Sequence, residues 1–324
     1  MTKVSLASLS DPDPERRHAA LGAVASWELD QVTPTVQQAV VTCLSDEVPQ
    51  VRHAALLAIT AWAARDMFPP NESVKQLALG LTKDENAAVR SEAAVVLAMM
   101  DDSSDASLTR LLELLADPSA LVRREAAAAL GDLRADRARS ALFAAMKDED
   151  PDSGFEAAFA LASLGDARGR SLLEKFLEIP RRRLDAAEGL RRLGDSAAIP
   201  ALRATSSKLF LGWSERLVIW ATLHWLGDEG SGEKVARKAR SRNVAERTLA
   251  IALMGSHRVS EGASTLIEIA RNPEDDLRLV AIRSLGELGS ETHLAALEAI
   301  AGDERDTEDA RELARHAIVK IRGP

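Results

Sequence analysis

With 324 residues and a formal net charge of −9, the chain has the length of two ordinary domains, and its acidity disfavours general polyanion binding. No Tyr and only eleven Phe plus Trp occur in a sequence that is 46% hydrophobic, so Ala, Leu, Val and Ile must fill the interior, which favours closely packed helices. The single cysteine, Cys43, excludes a disulfide within the chain, and its place in the apolar pattern VTCL reads as a buried, inert thiol.

From the N-terminus, MTKVSLASLSDPDPERR has no apolar core of the kind a secretory leader needs, and no uninterrupted apolar run of eighteen follows, so a cytoplasmic location without membrane insertion is expected. A first short helix is expected near Lys3–Leu9. The organising feature is a motif most regular at Asp117–Leu133, DPSALVRREAAAALGDL. With Arg123 set at position 0, nine other segments align at intervals of 28 to 38 residues: Arg17, Arg52, Arg90, Gly154, Arg183, Arg216, Val244, Arg278 and Arg311. Position +7 then reads Val24, Ile59, Leu97, Leu130, Leu161, Leu190, Leu223, Ile251, Leu285, Ile318, aliphatic throughout. Position +10 reads Trp27, Trp62, Met100, Leu133, Leu164, Leu193, Leu226, Met254, Leu288, Ile321, apolar throughout.

Positions +3, +7 and +10 share one helical stripe, so each motif is an amphipathic helix, here called B. A second pattern, helix A, lies between motifs, as in Ser107–Leu115, Ser140–Met146, Ser171–Leu177 and Ser264–Ala270. Glycine at +11 (Gly165, Gly194, Gly227, Gly255, Gly289) is placed to end helix B in a left-handed conformation. The longest interval, Arg52 to Arg90, contains Met67-Phe-Pro-Pro-Asn-Glu-Ser, read as a surface loop insertion.

The segments VRREAAAALGDL and LGDSAAIPALRA resemble HEAT repeats of the short type associated with phycobilisome lyases. The resemblance implies an all-α fold, an α-solenoid forming a right-handed superhelix of about ten two-helix repeats. It implies one continuous body over residues 1–324, with an N-terminal cap near 1–27 and a C-terminal cap near 290–324. It also implies that the position-0 arginines and the Asp six residues before them (Asp11, Asp46, Asp84, Asp117, Asp148) form a hydrogen-bonded ladder along the turns. Helix B would line the concave face.

Positions +1, +2, +5 and +9 of helix B are expected to face water. Glu92, Glu125, Glu156, Asp185 and Glu246 at +2 obey, forming an acidic stripe. Phe155 and Phe159 break the rule, as does the seventh helix B, apolar nearly all round from Leu217 to Leu226. Phe210, Trp213, Trp220 and Trp225 are either an exposed patch or a core formed by LFLGW folding back over that helix. Residues 181–247 carry a net charge of +6 between flanks of −10 and −5. These features nominate Phe155, Phe159, Arg191, Arg192, Leu217, Ala221 and Trp225 as a contact surface for a protein partner.

Enzymes on related folds set tests. Deoxyhypusine hydroxylases need repeated His-Glu pairs, yet none of the six histidines is followed by Glu, and His18 and His53 read as products of repeat duplication. A HEAT-like DNA glycosylase conflicts with the acidic stripe. A bilin-lyase-like or other small-ligand-handling enzyme is the main alternative. The expected role is a non-catalytic protein-interaction scaffold without cofactor or metal, with nucleic acid disfavoured as a partner.

Overall fold

The computed structural model describes residues 6–323, and among them every regular element is helical. The chain divides into two compact halves at Leu172/Leu173, within the helix Arg170–Phe176. In the N-terminal half the motif helices are Pro14–Val24, Pro49–Ala63, Ala87–Met99, Ala120–Asp132 and Pro151–Ser163. In the C-terminal half they are Arg183–Leu193, Trp213–Trp225, Val244–Ser256, Arg278–Leu288 and Glu308–Arg322. Within each half, successive B helices pack on one another and A helices pack against them, giving two layers.

Local chemistry sets the ends. Proline opens the helices at Pro14, Pro34, Pro49 and Pro151, where its missing N–H has no partner to lose. Asp13, Asn71, Asn86, Asp150, Asn243 and Thr307 accept from backbone amides of the first turn. The +7 residues are buried from Val24 through Leu285, with only Ile318 half-buried. Small residues let adjacent B helices touch: a Cβ on Gly131 would stand 2.8 Å from Ala160 Cα, and one on Gly286 would stand 2.7 Å from Ala317 Cβ. Cys43 is buried, its Sγ within 3.4 Å of the Ala39 carbonyl, and burial pushes its thiol up.

The ladder is present. In the N-terminal half each rung links one repeat to the next: Arg17 to Asp46, Arg52 to Asp84, Arg90 to Asp117 and Arg123 to Asp148. Every one of these guanidiniums also donates to its own turn, as Arg123 Nη1 does to the carbonyls of Asp117 at 2.9 Å and Pro118 at 3.3 Å. Each aspartate serves twice, since Asp117 also accepts from the Ser119 amide at 2.9 Å and so closes the turn before the next helix. The Arg123 guanidinium holds the Asp148 carboxyl below its ordinary range, against the opposing effect of burial. Gly154 supplies no guanidinium. In the C-terminal half Arg183 pairs with Glu215, Arg247 with Asp275 and Arg278 with Asp306.

Four expectations need correcting. In the eighth repeat Arg247, not Val244, occupies the ladder position, and Val244 is 65% exposed. The three-residue slip was invisible because Ile251 and Met254 are both fully buried on one stripe. Gly255 does not end its helix, which runs on to Ser256; a Cβ there would meet Ser284 Cα at 2.8 Å, so close packing demands this glycine. The left-handed turn falls instead at Arg258, eleven residues beyond Arg247, just as Asp101 and Arg134 take the positive φ at +11 where glycine is lacking. The short first element is a 3₁₀ turn at Leu6–Ser10, with Lys3, Val4 and Ser5 outside the described residues. The insertion after Arg65 is anchored: Met67 and Phe68 are buried, Phe68 stacking on Trp62 with centroids 6.3 Å apart, while Pro69–Ser73 stays exposed.

Candidate partner-binding site

The Trp213–Trp225 helix carries the site. Its start is fixed by Glu215, which accepts from the Gly212 amide at 3.1 Å and from Arg183 Nη1 at 2.6 Å. Its interior is buried through Leu217, Ile219, Ala221, Thr222 and Leu223. Its last residue, Trp225, remains 37% exposed. Two guanidiniums flank that indole, Arg191 with Cζ 5.0 Å from the ring centroid and Arg258 at 5.9 Å.

Arg191 and Arg192 are held in place. Glu188 accepts from Arg191 Nε at 2.7 Å and Nη2 at 2.8 Å, and from Arg192 Nε at 3.0 Å. Burial pushes the Glu188 carboxyl up, but the hydrogen bonds from Arg191 and Arg192 outweigh it and leave the group below its ordinary range. Arg258 sits at φ 52° just past the Val244–Ser256 helix, its carbonyl 3.2 Å from His224 Nε2. Beneath lies His257, 8% exposed, with Nδ1 2.9 Å from Ser256 Oγ. Burial, then Arg191, lowers the His257 pKa to about 4.

That value sets a pH dependence. The neutral imidazole is favoured in the folded state, so the contribution is intact above the unfolded value of about 6.5 and is lost as pH falls towards 4. Unfolding free energy is expected to drop by up to about 3 kcal/mol over that window. Urea titrations of the wild type and His257→Gln at several pH values check this: the variant should lose most of the slope above pH 4. The ladder carboxylates, held below their ordinary range, add their loss at lower pH.

The nominated residues divide. Arg191, Arg192 and Trp225 come together around Glu188, with Arg192 and Trp225 exposed. Phe155 and Leu217 are each 1% exposed and Ala221 is fully buried, so none of the three presents a surface. Leu217 and Ala221 belong to the C-terminal core with Val235, Ala250 and Met254, so the columns expected to face water are buried here. Phe159 is half-buried, its ring 6.1 Å from that of Phe155. Arg258 and Glu188 were not nominated. Arg258 follows the helix end and shows only when the repeat is counted from Arg247. The acidic column is not a free stripe either: Glu92 accepts from Thr60 at 2.9 Å, and Glu246 pairs with Lys238 at 2.7 Å. LFLGW does not fold back over the helix, since only Leu211 turns inward while Leu209 and Phe210 are exposed.

A family profile described as HEAT repeats matches residues 108–191 and 233–319, more than half of the chain. The chain belongs to the HEAT-repeat family. A profile for the PBS lyase HEAT-like repeat matches residues 182–206, and one for the non-SMC mitotic condensation complex subunit 1 matches residues 16–111. Deoxyhypusine hydroxylase-B of Oryza sativa subsp. japonica is 35% identical over 113 residues, 34% of this HEAT-repeat chain and 36% of that protein. The match thus spans about a third of the relative's length. The complex of CpcE and CpcF of phycocyanin lyase from Nostoc sp. PCC7120 superposes with a TM-score of 0.51 at 19% identity, covering 76% of this chain and 94% of that one, a likeness of fold. Among the described residues no three His, Cys, Asp or Glu side chains are grouped to hold a metal ion, and no helix is long and apolar enough to cross a membrane.

Proposed function

We propose that this HEAT-repeat protein is a non-catalytic scaffold that holds a protein partner through an acidic segment laid across Trp225. The observation that carries the reading is the indole left 37% exposed between the guanidiniums of Arg191 and Arg258. An indole supplies apolar area, and planar guanidiniums placed beside it offer paired N–H donors to carboxylates. Because Glu188 holds Arg191 before any partner arrives, little of that side chain's entropy remains to be lost on docking.

Affinity capture with wild type and Trp225→Ala as bait tests the reading. Loss of an aromatic anchor of this kind costs about 2 kcal/mol or more, a fall in affinity of about thirtyfold. Arg258→Glu should act in the same direction by reversing the charge facing the partner. Equal recovery of every bound protein by wild type and both variants would refute it.

A further inference from the structure

A second exposed feature lies at the opposite end of the same helix. Between Ser206 and Trp213 the chain turns with its apolar side chains outward: Leu209 is 83% exposed, Phe210 96% and Trp213 44%. The turn is built firmly. Leu211 is buried at its root, and Arg216, freed from a ladder rung, donates to the carbonyls of Ser206 at 3.1 Å and Lys208 at 2.7 Å. Exposed apolar surface on the order of 400 Å² concentrated at one tip is the size found at interaction sites.

The face behind the tip is graded. Trp220 follows Trp213 by seven residues, hence on the same helical face and about 10 Å further along. A cavity of about 460 Å³ opens beside it, lined by Trp220, Lys234, Arg237, Lys238 and Ser241. Lys234 Nζ stands 5.8 Å from the Trp220 ring centroid, and Lys238 is shared with Glu246 at 2.7 Å. Aliphatic and phenyl groups therefore come first, indoles next, ammonium and guanidinium groups last. That sequence follows the depth profile of an anionic leaflet, from acyl boundary through the interfacial zone to the phosphates.

We infer that the Leu209–Phe210 tip docks this protein peripherally on an anionic lipid surface, with Trp213 and Trp220 at interfacial depth and Lys234 and Arg237 facing the headgroup phosphates. Charge complementarity selects this occupant: the tip and these cations belong to the stretch of net charge +6, whereas both flanking stretches are acidic. Tip immersion of roughly 5–10 Å leaves Trp220 and its cations at headgroup level. The contact is shallow and reversible, and it stands apart from the partner site at Trp225.

Co-sedimentation with vesicles of phosphatidylcholine, with or without one third phosphatidylserine, tests it. Wild type should bind the serine-containing vesicles about tenfold more tightly than the neutral ones, and the advantage should vanish in high salt. A Leu209→Ser, Phe210→Ser double variant should lose about tenfold or more in vesicle binding with an unchanged melting curve, since both side chains are exposed. Lys234→Glu should weaken binding to anionic vesicles only. Failure of wild type to bind either vesicle overturns the inference, as does undiminished binding by the tip variant. Light scattering that shows a concentration-dependent dimer abolished by the tip variant would assign the tip to a second copy, and would equally overturn it.

Discussion

Replacing Arg90 with Ala should lower the unfolding free energy by about 3 kcal/mol. Its guanidinium makes four contacts: Nε and Nη2 to the Asp117 carboxylate at 2.9 and 2.8 Å, and Nη1 to the carbonyls of Asp84 and Glu85 at 2.8 and 3.0 Å. Removing it leaves Asp117, whose side chain is only 7% exposed, charged without its counter-ion, and strands the two turn carbonyls. Arg90→Lys should recover little, because one ammonium group cannot serve both the carboxylate and the carbonyls in the geometry of the planar fork. Urea unfolding followed by circular dichroism measures both. A loss below about 0.5 kcal/mol for Arg90→Ala, the level of an exposed ion pair, would contradict the ladder's structural role.

Trp62→Ala should cost about 4 kcal/mol. The side chain is fully buried, stacks on Phe68, and donates from Nε1 to the Val24 carbonyl at 3.0 Å, tying one B helix to the end of the preceding one. Truncation opens a large cavity and removes one of two donors to that carbonyl, which keeps the Trp27 amide at 3.1 Å. Trp62→Phe separates the two effects: most of the volume returns while the indole hydrogen bond stays lost, for a loss of about 1–2 kcal/mol. Denaturant midpoints of the three proteins read the difference directly. Equal losses for Ala and Phe would show that the hydrogen bond, not the packing, dominates.

The fold was legible because packing repeats and function does not. The ten motif helices run through the segments that the repeat marks out, and the +7 residues are buried from Val24 through Leu285 because neighbouring helices stack on them. Arg17, Arg52, Arg90 and Arg123 were equally readable as ladder members, though the sequence did not reveal that each reaches into the following repeat. The eighth repeat slipped by one helical turn because residues three apart share a stripe, so hydrophobicity alone could not choose between Val244 and Arg247. Only the ionic partner, Asp275, decides it.

The site was half legible for a related reason. The columns +1 and +5 were expected to face water, but Leu217 and Ala221 lie in the C-terminal core, so apolar residues there mark core. Trp225 stayed exposed because it holds the water-facing +9 position, while Leu223 and Leu226 on either side of it turn inward. Arg258 escaped notice because its place depends on a left-handed turn rather than on helical spacing. The LFLGW stretch could be read in sequence as exposed patch or as core, and the structure decides because Arg216 pins its turn so that only Leu211 points inward.

The most direct test of the partner site substitutes the photoreactive aromatic p-benzoylphenylalanine for Trp225 and irradiates the protein in an extract of its own cells. Mass spectrometry of the adduct should identify a partner peptide rich in Asp and Glu, lost when Arg258 is changed to Glu. No adduct, or one to a segment without carboxylates that survives Arg258→Glu, would contradict the account.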